Sequence, residues 1–135
     1  MMAAFADTFY YLALVNPADE AHQRTLTLSK KRRGRIITTA WVLTEVADAL
    51  CGPANRSVFI RFIGTIRSDR QTEIVPPSSD LFNRGVDLYA RRIDKSWSLT
   101  DCISFVVMAD RGLIEALTAD HHFEQAGFRA LLRTP

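Results

Sequence analysis

The sequence predicts an α/β fold around a mostly parallel sheet, on three observations. Short apolar or β-branched runs alternate with stretches of helical periodicity along the whole chain, the pattern of strands joined by helical crossovers. Its 135 residues, 47% of them hydrophobic, are enough for one core and not comfortably for two. No linker, repeat or low-complexity segment divides them, so 1–135 reads as a single domain.

Residues 3–6 form a short apolar run ending at Asp7, as expected for a buried strand whose carboxyl end carries a polar group. Thr8 opens a helix to Val15, and Asn16-Pro17 breaks it. Pro17, tolerated in a first helical turn, lets a second helix begin. Asp19 and Glu20 lie near its positive end, Lys30, Lys31, Arg32 and Arg33 near its negative end, and Gly34 closes it. The β-branched stretch 35–39 is the second strand. From Ala40 the residues Val42, Leu43, Val46, Ala49 and Leu50 recur at helical spacing until Gly52-Pro53. A further helix over about 54–70 carries Val58, Phe59, Phe62, Ile63 and Ile66 on the same period. Residues 73–75 give a short strand stopped by Pro76-Pro77, and Ser78 or Ser79 caps a helix bearing Leu81, Phe82, Val86, Leu88 and Tyr89. A polar loop, 94–98, holds Trp97. The helix 99–111 is so apolar at its centre that it packs inside the fold on most sides, with Gly112 as its stop. A strand at 115–118, a helical turn or two at 120–125, a cap at Gly127 and a strand at 128–132 complete the order.

Composition narrows the function. Lys and Arg number 17 against 15 Asp and Glu, a net +2, so neither a strongly basic nucleic-acid clamp nor an acidic disordered tail is indicated. Binding to a phosphate backbone is permitted, not demanded. Cys51 and Cys102 lack C-x-x-C spacing and read as core thiols of a reducing, cytoplasmic compartment. The opening MMAAFADTFYYLALV has no basic n-region and is interrupted by Asp7, a poor signal peptide. No stretch approaches the roughly 18 uninterrupted apolar residues of a membrane span, so a soluble protein is expected.

In parallel sheets ligands gather at the carboxyl ends of the strands, which gives weight to Asp7 and Asp120, each following an apolar strand. Glu45 and Asp101 lie early in otherwise apolar helices, where a carboxylate is costly without a partner. Such acids repel one another unless a divalent cation neutralises them, and oxygen ligands favour Mg²⁺ or Mn²⁺ over zinc. Metal-assisted phosphodiester hydrolysis is the chemistry that follows. No Walker A motif supports nucleotide-triphosphate hydrolysis of the P-loop kind.

The blocks ADTFYYLALVNPADEAH, TTAWVLTEVADAL, SWSLTDCISFVVMADRG and ALTADHHFEQAGF span nearly the full chain. On these blocks it resembles the PIN-domain family, and within it the toxin ribonucleases of VapBC toxin–antitoxin systems. The resemblance implies a three-layer α/β/α sandwich with a central, mostly parallel sheet of about four or five short strands. It implies a metal-dependent endoribonuclease whose catalytic, metal-binding quartet is Asp7, Glu45, Asp101 and Asp120. In that mapping Asp7 and Asp101 are the strongest ligands, Glu45 binds a second metal or orients the attacking water, and Asp120 completes the pocket. Thr8, Thr100 and Thr118 support carboxylates or phosphate through their hydroxyls. The family further suggests a homodimer and a cognate antitoxin, with the helical hairpin 40–70 as the first place to look for its groove. An antitoxin arginine reaching the carboxylates would compete with metal.

Each residue also has a structural reading. Asp7 and Asp120 suit helix caps, Asp101 suits a first-turn acid facing the helix dipole, and Glu45 suits an exposed helix acid. Asp48 and Asp94 read as solvated or salt-bridged. His121 and His122, adjacent and without H-E-x-x-H spacing, read as surface or packing residues rather than ligands. Arg91 and Arg92 are candidates to flank the substrate groove as RNA contacts. The KKRRGR run is as readily a solvated helix end as a phosphate-binding patch. Phe9, Tyr10 and Tyr11 read as core or subunit-contact residues. The competing functions are a PIN nuclease of RNA processing, a DNA-cleaving enzyme, and a non-catalytic RNA- or protein-binding module. A haloacid-dehalogenase-type phosphatase is excluded by Phe9, which stands where its second acid would be.

Overall fold

The computed structural model describes residues 2–134. In chain order the elements are β1 (Ala4–Ala6), α1 (Thr8–Val15), α2 (His22–Lys31), β2 (Ile36–Thr39), α3 (Ala40–Ala49) and α4 (Arg56–Ser68), then β3 (Thr72–Val75), α5 (Ser79–Arg91), α6 (Leu99–Arg111), β4 (Glu115–Leu117), α7 (His121–Gln125) and β5 (Arg129–Ala130). The five strands form one sheet in the order β3-β2-β1-β4-β5, every neighbouring pair parallel. Phe5 lies in register with Ile37 on one side and Ala116 on the other, so β1 is the central strand. All three residues of β1 are buried, as a strand covered on both faces requires. This is an α/β/α sandwich.

Helix α6 supplies the core that its composition promised, burying Cys102, Ile103, Phe105, Val107 and Met108. The Phe105 ring sits 5.0 Å from both Trp97 and Phe123, edge to face. Helix α5 approaches so closely at Gly85 that a Cβ there would collide with the Ile103 side chain. Gly112, at φ +65°, ends α6 in the left-handed conformation, and the Leu113 amide donates to the Met108 carbonyl at 2.9 Å.

Several expectations shift. The second helix starts at His22 rather than near Pro17, because the side chains before it are spent on turns. Asn16 Oδ1 accepts from the Ala18 amide at 3.0 Å and Asp19 Oδ1 from the Ala21 amide at 2.8 Å. Gly34 lies beyond that helix, whose C-cap is Arg32. The final strand shrinks to Arg129–Ala130 at the sheet edge. Trp97 is not a loop ornament: it is buried, and its Nε1 donates to Gln125 Oε1 at 3.0 Å. Cys51 is exposed beyond the end of α3, so only Cys102 is a core thiol.

Candidate active site

Strand β1 is flanked by β2 on one side and β4 on the other, so the strand order reverses at the β1–β4 junction. In open parallel sheets that reversal leaves a crevice at the carboxyl ends of the two strands. Asp7 stands there, immediately after β1 and in the N-cap position of α1. Its carboxylate does not cap the helix: the Tyr10 amide is taken by the Asp7 main-chain carbonyl at 3.1 Å. Instead Asp7 Oδ2 accepts from the Thr118 hydroxyl at 2.9 Å, across the junction from the end of β4.

Thr118 is wholly buried and works twice, because its Oγ1 also accepts from the Asp120 amide at 3.1 Å. Asp120 caps α7, with Oδ1 accepting from the His122 amide at 2.9 Å. Asp101 comes from a different element, the first turn of α6. Ser98 Oγ accepts from the Asp101 amide at 3.0 Å while Asp101 Oδ2 accepts from the Ser98 amide at 3.2 Å, a reciprocal capping box. Glu45 projects from mid-α3, and its Oε1 accepts from the Thr8 hydroxyl at 2.6 Å. Two helices and two strand ends thus bring Asp7, Glu45, Asp101 and Asp120 into the lining of one open cleft of about 500 Å³.

Among the described residues, no lysine or arginine lines that cleft. Asp7, 6% exposed, pays for it: burial, with the charges of Asp101 and Glu45 adding, pushes its pKa up to about 7 against the opposition of the Thr8 amide and the Thr118 hydroxyl. A concave site with four carboxylates and no lysine or arginine lacks a fixed counter-charge, and its donors are chiefly hard oxygens. A divalent cation fits that set.

The structural readings of Asp101 and Asp120 as caps hold as geometry, alongside their place in the cleft. Thr8 and Thr118 each hold a carboxylate. Thr100 does not: it lies outside the cleft lining, because neighbouring helical residues point about 100° apart and Asp101 takes the inward direction. Arg91 and Arg92 also lie outside that lining. Arg91 borders a separate hollow with Arg84 and Asp87 on α5, and Arg92 grips Asp94 with two hydrogen bonds of 3.0 Å.

His122, read from the sequence as a surface or packing residue, faces the acids. Its Nδ1 is 3.0 Å from Asp101 Oδ2 and 3.5 Å from Asp120 Oδ1, so with a carboxylate as acceptor the ring donates from Nδ1. Donor atoms of Asp120, His121 and His122 all lie within 4.8 Å of one another. Adjacency hid this: the two rings do not diverge but lie with centroids 4.6 Å apart beside the cap at Asp120, and the second one reaches inward to Asp101. Ser98 was also missed, although S-x-x-D before an apolar run is a capping-box signature.

No family model matches the sequence. The 23S rRNA-specific endonuclease VapC20 of Mycobacterium tuberculosis is 29% identical over 129 residues, covering 92% of this chain and 94% of that protein. The crystal structure of M. tuberculosis VapC20, described as a sarcin–ricin loop cleaving toxin, superposes with a TM-score of 0.85 at 25% identity, over 93% of this chain and 95% of that one. In sequence and in fold the chain is similar to a VapC-type toxin nuclease. The crystal structure of FitAcB from Neisseria gonorrhoeae superposes with a TM-score of 0.69 at 14% identity, over 96% of each chain. VapBC2 from Rickettsia felis, crystallised with a DNA fragment from its promoter, does so at 0.68 and 14%, over 96% of this chain and 97% of that one. PIN-family endonucleases generally use a divalent metal, which agrees with the four acids of this cleft.

Proposed function

We propose that this protein is an endoribonuclease that hydrolyses RNA phosphodiester bonds in the acidic cleft with Mg²⁺ or Mn²⁺, as the toxin of a type II toxin–antitoxin pair. The observation that carries it is the convergence of Asp7, Glu45, Asp101 and Asp120 on one cleft with, among the described residues, no lysine or arginine in its lining. The 23S rRNA-specific relative over 92% of the chain supports RNA as substrate.

Asp7 and Asp101 would hold the metal, Asp7 steadied by Thr118 and Asp101 by the Ser98 capping box and His122. Glu45, its Oε1 held by Thr8, keeps a second oxygen to bind a further ion or orient the attacking water. Asp120 closes the negative wall. When bound, the metal supplies Lewis-acid polarisation of the phosphoryl oxygens and lowers the pKa of water. The carboxylates orient water and repel the phosphate from any position that lacks a cation.

The reading treats 1–135 as one domain acting in the cytoplasm as a homodimer. No helix among the described residues is long and apolar enough to cross a membrane. The antitoxin would lay an apolar segment in the groove of about 460 Å³ between α3 and α4, lined by Leu43, Ala47, Phe59, Ile60 and Ile63, where Ile60 is 66% exposed.

The test is cleavage of 23S rRNA and of a mixed RNA pool by purified protein with Mg²⁺, Mn²⁺ or EDTA, beside an Asp7→Asn, Asp101→Asn double variant. Metal-dependent cutting that the double variant loses is expected. No cutting by folded, antitoxin-free protein with either metal would sink the nuclease reading.

A further inference from the structure

Beside the acidic cleft lies a second hollow, of about 380 Å³, that the catalytic chemistry does not use. The two are contiguous: Ser96 lines both, and the consecutive α6 residues Asp101 and Cys102 line one each. Their chemistries are opposite. The second hollow is walled by Tyr89, Arg92, Ile93 and Lys95 over Trp97. Tyr89 is 54% and Ile93 92% exposed, large apolar surfaces left to solvent next to two cations.

Arg92 is held as a fixed plane. Its Cζ lies 5.0 Å from the Trp97 ring centroid, and Nε and Nη2 each donate to Asp94 at 3.0 Å. The Nε/Nη2 edge is therefore occupied by Asp94, and one face is covered by Trp97, itself anchored by Gln125. The other face of the guanidinium and its Nη1 end remain open, on a side chain still 39% exposed. Nucleobases stack on arginine planes and aromatic rings, whereas a phosphate prefers the fork.

We propose that this hollow is a nucleobase subsite for single-stranded RNA: the base of a nucleotide flanking the scissile phosphate stacks on Arg92, with Tyr89 as the side wall and Lys95 near the backbone. The inference rests on the RNA-cleaving reading and deepens it. It narrows the expectation for Arg92 from an RNA contact at the groove to a stacking plane, and it gives the acid cleft a neighbouring surface that attracts the strand the acids repel.

The test compares Arg92→Lys, which keeps the charge and loses the plane, with Tyr89→Ala. Affinity for a fluorescent single-stranded 12-nucleotide RNA is measured by anisotropy in an Asp7→Asn background, and KM and kcat for a sarcin–ricin loop RNA in the otherwise unaltered protein. Each substitution is expected to weaken binding and raise KM about tenfold, the range of one stacked base, with kcat within about twofold and the melting temperature retained. Replacing the flanking nucleotide by an abasic one is expected to weaken the parent and leave Arg92→Lys unchanged. Parent-like affinity in both variants would overturn the subsite. So would unchanged RNA binding with a shifted sedimentation mass, which would make the hollow a protein interface. If the parent cuts no RNA, the nuclease reading fails, while the anisotropy arm still decides the subsite.

Discussion

At the residue scale, Asp7 carries the largest electrostatic cost in the cleft. Its folded-state pKa near 7 lies above the ordinary 3.8, so between these values the native state holds a proton that the unfolded chain has lost. In EDTA, stability is therefore expected to fall as pH rises from about 4 to about 7 and to stay low above that, by on the order of 4 kcal/mol in total. Asp7→Asn keeps an acceptor for Thr118 and removes the charge. Urea unfolding of that variant should show a flatter pH profile and higher stability than the parent at pH 8; parallel profiles would contradict the assignment. His122 offers a second test. His122→Leu leaves Asp101 without its imidazole donor and is expected to cost about tenfold in Mn²⁺ affinity by calorimetry. His122→Asn, which can present an amide donor near the position of Nδ1, should retain most of it.

At the element scale, the site depends on how α6 begins and how tightly it is gripped. Ser98→Ala removes half of the capping box and is expected to lower stability by about 1 kcal/mol, read as a shift in the urea midpoint. Gly85→Ala improves the intrinsic propensity of α5 and yet is expected to destabilise by about 1–2 kcal/mol, because the new Cβ meets Ile103 of α6. An unchanged or raised melting temperature would show that the two helices separate freely there. The extents of α1, α3 and α6 and the start of α5 were legible in sequence because their signals are local: Ser78 accepts from the Leu81 amide, and Gly112 turns left-handed after α6. The start of α2 was not, since Asn16 and Asp19 were free to serve either a helix or a turn, and the turn won.

At the scale of the whole molecule, the strand order β3-β2-β1-β4-β5 joins residues far apart in sequence. Thr118 reaches Asp7 across 111 positions, and His122 reaches Asp101 across 21. A cation bound only by the folded cleft must stabilise the fold by mass action. Millimolar Mn²⁺ or Mg²⁺ is expected to raise the melting temperature of the parent by several degrees and to leave an Asp7→Asn, Asp101→Asn protein unmoved. A shift that survives in the double variant would place the cation elsewhere.

The sequence by itself determined the alternation of strands and helices, the buried centre of α6 and the positions of Asp7 and Asp120 after strands and of Asp101 in the first turn of a helix, because periodicity, caps and turn residues are encoded within a few neighbours. Glu45, expected early in its helix, stands in mid-α3. Only the tertiary structure decided which polar groups meet. It turned His122 towards Asp101, left Thr100 outside the cleft, tied Arg92 to Asp94 and Trp97, and left Cys51 in solvent. Each of those outcomes follows from the direction in which a side chain leaves its element and from what the neighbouring element offers it, and neither is a property of local sequence.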